Sequence, residues 1–198
     1  MTSPVLVRQM PVDTGAAVRV RALQPGETQP LTQVFDGLGQ RSRELRFLAP
    51  VNHLTAAALT HLASVDDHDH VALVAESLAD GRALGIARFV RGATDRASAD
   101  VAVAVVDAWQ GRGVGALLAS ALADRARAAG IHRFTLMVRP DNVAVVRLAV
   151  GVAGALAGHI ERVAVDREAM ELVLVLDGQG SDELPEPSSF PRQRLPEA

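Results

Sequence analysis

An apolar strand, a glycine-rich turn and an amphipathic helix follow one another without a break between residues 99 and 130, and few folds accept that order. The segment ADVAVAVVD (Ala99–Asp107) reads as a strand and runs into Gln110-Gly111-Arg112-Gly113-Val114-Gly115. A helix is expected over Gly113–Ala129. Val114, Leu117, Leu118, Ala121 and Leu122 would share its inner face, with Asp124, Arg125 and Arg127 turned away and Gly130 as its stop. FTLMV (Phe134–Val138) supplies the next strand. Two strands joined by a helix are expected to be parallel neighbours with a right-handed connection. The turn between the first strand and the helix leaves backbone N–H groups without helical partners, where the helix dipole also favours negative charge. Glycine there permits positive φ and close approach of a ligand, so the physical content is a cradle for a diphosphate.

The same letters fit the dinucleotide fingerprint G-x-G-x-x-A at Gly111, Gly113 and Ala116, and a tight turn that binds nothing would also read this way. The dinucleotide fingerprint, however, belongs to the first strand of a run of parallel units. Here the turn follows strands joined by hairpins. Val18–Ala22, Val71–Glu76, Ala83–Val90 and Ser98–Val106 read as strands, the middle two connected by Ala79-Asp80-Gly81-Arg82. Short helices are expected from Thr28 to about Leu38, over Ser42–Leu48, and from a Thr55 cap to Leu62. Beyond the crossover, Asn142 starts a helix to about Ala149, Gly151–Gly158 reads as a small-residue loop, and His159–Val165 and Met170–Leu176 close as a hairpin around Asp166-Arg167. The expectation is an α/β protein of α+β type. Its central mixed, mostly antiparallel sheet has about seven strands flanked by helices, with one parallel β-α-β crossover. Residues 1–17 read as a flexible leader, 18–177 as one domain and 178–198, rich in Pro, Ser, Glu and Gly, as a disordered tail.

Composition narrows the function. A net charge of −3 argues against nucleic acid as a partner. No run approaches the roughly 20 apolar residues of a membrane span, and no secretory signal is visible, so a cytoplasmic chain without membrane contact is expected. There is no cysteine and no tyrosine, and all 20 basic residues are arginine. Thiolate nucleophiles, Schiff-base lysines, P-loop lysines and phenolic acids are thereby excluded. Asp66-Asp67-His68-Asp69-His70 clusters hard and borderline metal ligands, but a solvated loop entering a strand is the expectation, with no metal.

The spacing Gln110-x-x-Gly113-x-Gly115 resembles motif A of the GNAT superfamily of acyl-CoA-dependent N-acyltransferases, and the element order from Val18 to Leu176 follows that fold. Within it, Ser42–Leu48, Leu59–Leu62, His70–Ala75 and Ala99–Ala102 are similar to the catalytic domain of bacterial protein lysine acetyltransferases. The resemblance implies acetyl-CoA as co-substrate, held by the backbone of Val103, Ala104 and Val105 along its pantetheine arm and by the amides of Gly111 to Gly115 at its pyrophosphate. Side chains of Gln110 and Arg112 would add contacts, and Asn142 would sit near the pantetheine or adenosine. Read from the residues alone, Asn142 is equally a helix N-cap.

The implied reaction is direct attack of an amine on the thioester. Asp100 stands where the lysine acetyltransferases carry a glutamate acting as general base, and Glu76 on a neighbouring strand is the reserve candidate. An ordinary strand-edge carboxylate is the alternative for Asp100. Many GNAT enzymes protonate the departing thiolate with a tyrosine on the helix after Asn142, whereas this chain has Val145 to Val150 there. The acceptor implied is a protein lysine, with a small amine or antibiotic as runner-up and a non-catalytic acyl-CoA-binding domain as the rival; a homodimer is a candidate assembly.

Overall fold

The computed structural model describes residues 10–11, 17–165 and 169–176. The expected tail, most of the expected leader and the Asp166-Arg167 turn lie outside the described residues. One mixed sheet carries the fold. Its strands are β1 (Met10–Pro11), β2 (Ala17–Ala22), β3 (His70–Ser77), β4 (Ala83–Arg91), β5 (Ser98–Val105), β6 (Arg133–Val138), β7 (His159–Val165) and β8 (Met170–Val175). They lie in the order β1-β2-β3-β4-β5-β6-β8-β7, and β5–β6 is the parallel pair while the others are antiparallel. The helices are α1 (Gln29–Asp36), α2 (Gln40–Phe47), α3 (Ala56–Ala63), α4 (Val114–Ala128) and α5 (Val143–Ala155).

Strand alternation divides the interior into two layers. Val71, Leu73, Ala87, Phe89 and Ala99 join the α4 residues Val114, Leu117, Leu118, Ala121 and Leu122 in one core. Ala72, Val74 and Ile86 point the other way, to Leu31 and Val34 of α1 and Leu62 of α3. Both faces of β3 and β4 are therefore covered, which is why those strands read as continuous apolar runs. Local signals set the helix ends: Thr55 Oγ1 accepts the Ala58 N–H at 3.1 Å, and Gly130, at φ 76°, lets Ile131 N–H return to Ala126 C=O after α4.

Gly151–Gly158 corrects the expected loop. α5 continues to Ala155 through Gly151 and Gly154. Each helical glycine costs about 1 kcal/mol relative to alanine. Burial of Ala149, Val152 and Ala153 against α4 and the sheet offsets that cost, since these residues are 4–5% exposed. The true stop is Gly158, whose N–H reaches Ala153 C=O and whose Cβ, if present, would lie 2.0 Å from the Val175 carbonyl oxygen.

Candidate active site: a split between two parallel strands

β5 and β6 pair only at Ser98–Arg133, Ala99–Phe134 and Asp100–Thr135. Beyond Asp100 the strands separate, although β5 continues to Val105 and β6 to Val138. The result is a wedge that opens toward the glycine-rich turn. Its β5 edge keeps pairing with β4 on the far side, and the backbone groups of the alternate residues Val101, Val103 and Val105 face the wedge. The α4/α5 side of the wedge is floored by an entirely apolar cavity, lined among others by Val101, Val103, Leu136, Val145, Leu148 and Ala149.

At the mouth, a 3-10 turn (Asp107–Trp109) leads into α4. Gly111 and Gly113 take φ 72° and 86°, conformations that strain any residue with a Cβ, and nothing lies within 4 Å of where a Cβ would stand. The first hydrogen bond entering α4 runs from Leu117 N–H to Gly113 C=O at 3.0 Å, so the preceding amides have no helical acceptor. Gln110 does not project into this space. Its Nε2 donates to Val105 C=O and Asp107 Oδ1, each at 3.0 Å, and to Ser42 Oγ at 3.3 Å, so it braces the loop. Arg112 stacks over Trp109 with its guanidinium 5.4 Å from the ring. Asn142 Oδ1 accepts the Val145 N–H at 3.2 Å, the N-cap interaction expected for α5.

The linker between α1 and α2 packs directly on this turn. A Cβ on Gly37 would approach Val106 Cγ1 to 2.5 Å, and Gly39 N–H donates to Asp107 Oδ2 at 3.0 Å. Arg41 of α2 pairs with Asp141 ahead of α5. The N-terminal turn of α2 is thus tied both to the cradle, through Gly39 and Ser42, and to the β6–α5 loop, through Arg41.

Asp100 sits at the base of the wedge, in the last residue pair before the strands part. It is half-buried, and burial first, then the charge of Glu171 on β8, pushes its carboxyl up to about 6. Alternation places Asp100, Thr135 and Glu171 on the sheet face opposite α4, while Val101 turns to the α4 side. Glu76 is elsewhere. It lies on β3, 5% exposed, and accepts from Arg19 Nε and Arg21 Nε, each at 2.8 Å, so the structure gives it a clamp between strands rather than a place at the wedge. The Asp66–His70 segment is likewise tied down. Asp66 Oδ1 accepts the N–H groups of His68, Asp69 and His70, and Asp69 pairs with Arg96 at 2.7 Å. Glu171 and Arg88 also lie here; each is a charge inside an apolar run, in MELVLV and in ALGIARFV ahead of the terminal Arg91, and that anomaly is the signal they carry in the sequence.

The segment that carries the splayed parallel pair and the glycine cradle is also the one a known family covers: residues 40–152 match the family model described as acetyltransferase (GNAT) family. This chain belongs to the GNAT acetyltransferase family. It is 36% identical over 143 residues to the acetyltransferase Pat of Mycolicibacterium smegmatis, covering 71% of this chain and 40% of Pat. The GNAT domain of S. lividans PAT superposes with a TM-score of 0.76 at 27% identity, over 87% of this chain and 98% of that domain. The Salmonella typhimurium protein yncA, solved with its cofactor acetyl-CoA, shares the fold at a TM-score of 0.53 and 20% identity, covering 84% of this chain and 98% of that one. The GNAT family uses acetyl-CoA and amine acceptors. The chain spans less than half the length of Pat. No helix among the described residues is long and apolar enough to cross a membrane.

Proposed function

We propose that this chain transfers the acetyl group of acetyl-CoA to the side-chain amine of a lysine in a cytoplasmic protein. The observation that carries the reading is Asp100, a carboxylate with a raised pKa at the closed end of a wedge whose open end is a glycine cradle. Acetyl-CoA supplies a thioester carbonyl. Free amides from Gly111 to Gly115 suit its pyrophosphate, and Arg112 stands beside them with a fork suited to phosphate oxygens. Along Val103, Ala104 and Val105, Val103 N–H and C=O and Val105 N–H face the wedge and suit a pantetheine amide, while Ala104 bonds β4 and Val105 C=O accepts from Gln110; Asn142 follows β6 at the same end of the wedge.

A lysine amine is protonated at pH 7 and must shed a proton to attack. The ammonium gives this first proton to solvent; Asp100 accepts the second N–H proton as the new C–N bond forms, and a carboxylate near 6 is ionised at neutral pH yet more basic than a surface aspartate. The C–S bond then breaks. With no tyrosine or cysteine in the chain, water returns a proton to the departing thiolate. The test is CoA release from acetyl-CoA with a panel of lysine-bearing proteins and small amines, followed by mass spectrometry of the acceptor. Acetyl-lysine on a protein supports the reading; acetyl-CoA binding without CoA release for any amine overturns it in favour of a binding domain.

A further inference from the structure

Arg88 interrupts the apolar run of β4 and is 2% exposed. Its Nη1 lies 3.5 Å from the Leu62 carbonyl oxygen and its Nη2 contacts His70 Nε2, while Nε has no partner among the described residues. Neither partner offsets the charge. His70 is held neutral at pH 7, its pKa pulled down to about 4 by burial and then by Arg88. Burial and the nearby charge of Arg46 also lower the pKa of Arg88, the mark of a cation short of negative charge. Arg46, half-buried on α2, stacks 4.9 Å from the Phe47 ring and has no hydrogen bond or ion pair among the described residues. A guanidinium stays protonated in proteins, so burial of two neighbouring ones costs several kcal/mol unless an anion joins them.

Their position shows what kind of anion would. Arg88 lies opposite Ala102 on β5, and Asp100 is two residues along that strand on the same face. Such diagonal neighbours stand about 7–8 Å apart. Helix α2, whose last turn carries Arg46, has its first turn tied to the loop that follows this strand, through Asp107 and Gln110. We propose that Arg46 and Arg88 bind a carboxylate that the acceptor carries close to its attacking amine. The inference rests on the acetyl-transfer reading above and names the acceptor class within it. Two sources present that chemistry: an acidic side chain next to the lysine of a protein, and the α-carboxylate of a free amino acid.

The experiment compares two matched pairs of acceptors. One pair is a capped lysine peptide with Glu beside the lysine and its Gln counterpart; the other is N-α-acetyl-lysine and its carboxamide. KM should be about tenfold lower for the carboxylate-bearing member of one pair, equivalent to about 1.4 kcal/mol, at similar kcat. The pair that shows it identifies the source. In Arg46→Gln the preference should vanish while acetyl-CoA affinity persists. Equal KM values within both pairs, or a preference that survives Arg46→Gln, overturn the proposal. Glutarate in salt-matched buffer provides a readout independent of turnover. It should raise the thermal midpoint of the parent and not of Arg46→Gln, and no rise in the parent refutes the anion site. A glutarate response in a protein that acetylates no amine leaves the anion site standing and refutes acetyl transfer.

Discussion

Asp100→Asn should make the protein more stable and nearly inactive, and both effects follow from the same burial. The Asp100 carboxyl titrates near 6 in the fold against a reference of 3.8. Two pKa units correspond to about 3 kcal/mol, and solvent screening at a half-buried site reduces this to roughly 1–2 kcal/mol. Because the folded-state pKa is raised, the favourable contribution is fully present below pH 3.8, where the carboxyl is protonated in both states. It is lost as pH rises through 6. Asparagine keeps the shape and never ionises. Its thermal midpoint should therefore match the parent near pH 4 and exceed it by roughly 2–6 °C from pH 7 upward. Turnover at pH 7 should fall by about a hundredfold or more, with acetyl-CoA affinity retained and partial rescue at high pH, where more acceptor amine is already neutral. Thermal melts across pH 4–8, paired with CoA-release rates, give both numbers. A parent–variant gap that stays flat with pH, or a variant that melts lower at pH 8, would refute the claim that the fold strains this carboxylate.

Three further outcomes are expected. Gly113→Asp, at φ 86° with open space above it, should abolish the midpoint rise produced by acetyl-CoA, because it forces a strained backbone and sets a carboxylate where phosphate would lie; an unchanged ligand shift in melting would argue against the cradle. Glu76→Gln leaves Arg19 and Arg21 without their shared carboxylate and should cost about 2–3 kcal/mol of stability in a denaturant titration, with acetyl-CoA affinity retained. Gly158→Ala would drive a methyl to 2.0 Å from Val175 C=O, so β8 must shift; soluble yield and midpoint should drop more than for Gly151→Ala, which meets nothing within 4 Å and should be neutral or stabilising.

Sequence pattern was sufficient for the elements whose cause is local. Period-two apolar alternation marks β2 and β5, the spacing of Val114, Leu117, Leu118, Ala121 and Leu122 marks α4, and Thr55, Gly130 and Asn142 each make the cap their side chain or its absence dictates. Where causes are non-local, pattern failed. Gly151 and Gly154 look like loop residues until Val152 and Ala153 are seen to bury against another helix. Glu76 reads as a free strand carboxylate until the register sets it opposite Arg19. The glycine cradle was legible because φ above zero needs glycine. The base of the wedge was not, since nothing in Asp100 or Thr135 announces that pairing stops there. The charges Arg88 and Glu171 stand out in their strands, but only strand order reveals that they share the face of Asp100.

The parting of β5 and β6 leaves an unzipped seam inside the sheet instead of at its rim. Edges of this kind ordinarily invite other chains, and proteins blunt them with charges, prolines or cover. Here α5 lines one side of the seam through Val145, Leu148 and Ala149. On the reading proposed above, acetyl-CoA in the gap would act as the missing strand, joining two halves of one sheet that otherwise meet over three residue pairs. Amides of Val103 and Val105 should accordingly exchange with solvent faster in the free protein than in the loaded one. Between turnovers the molecule is also at its most vulnerable to proteases, so its lifetime in a cell would follow the supply of the compound it consumes.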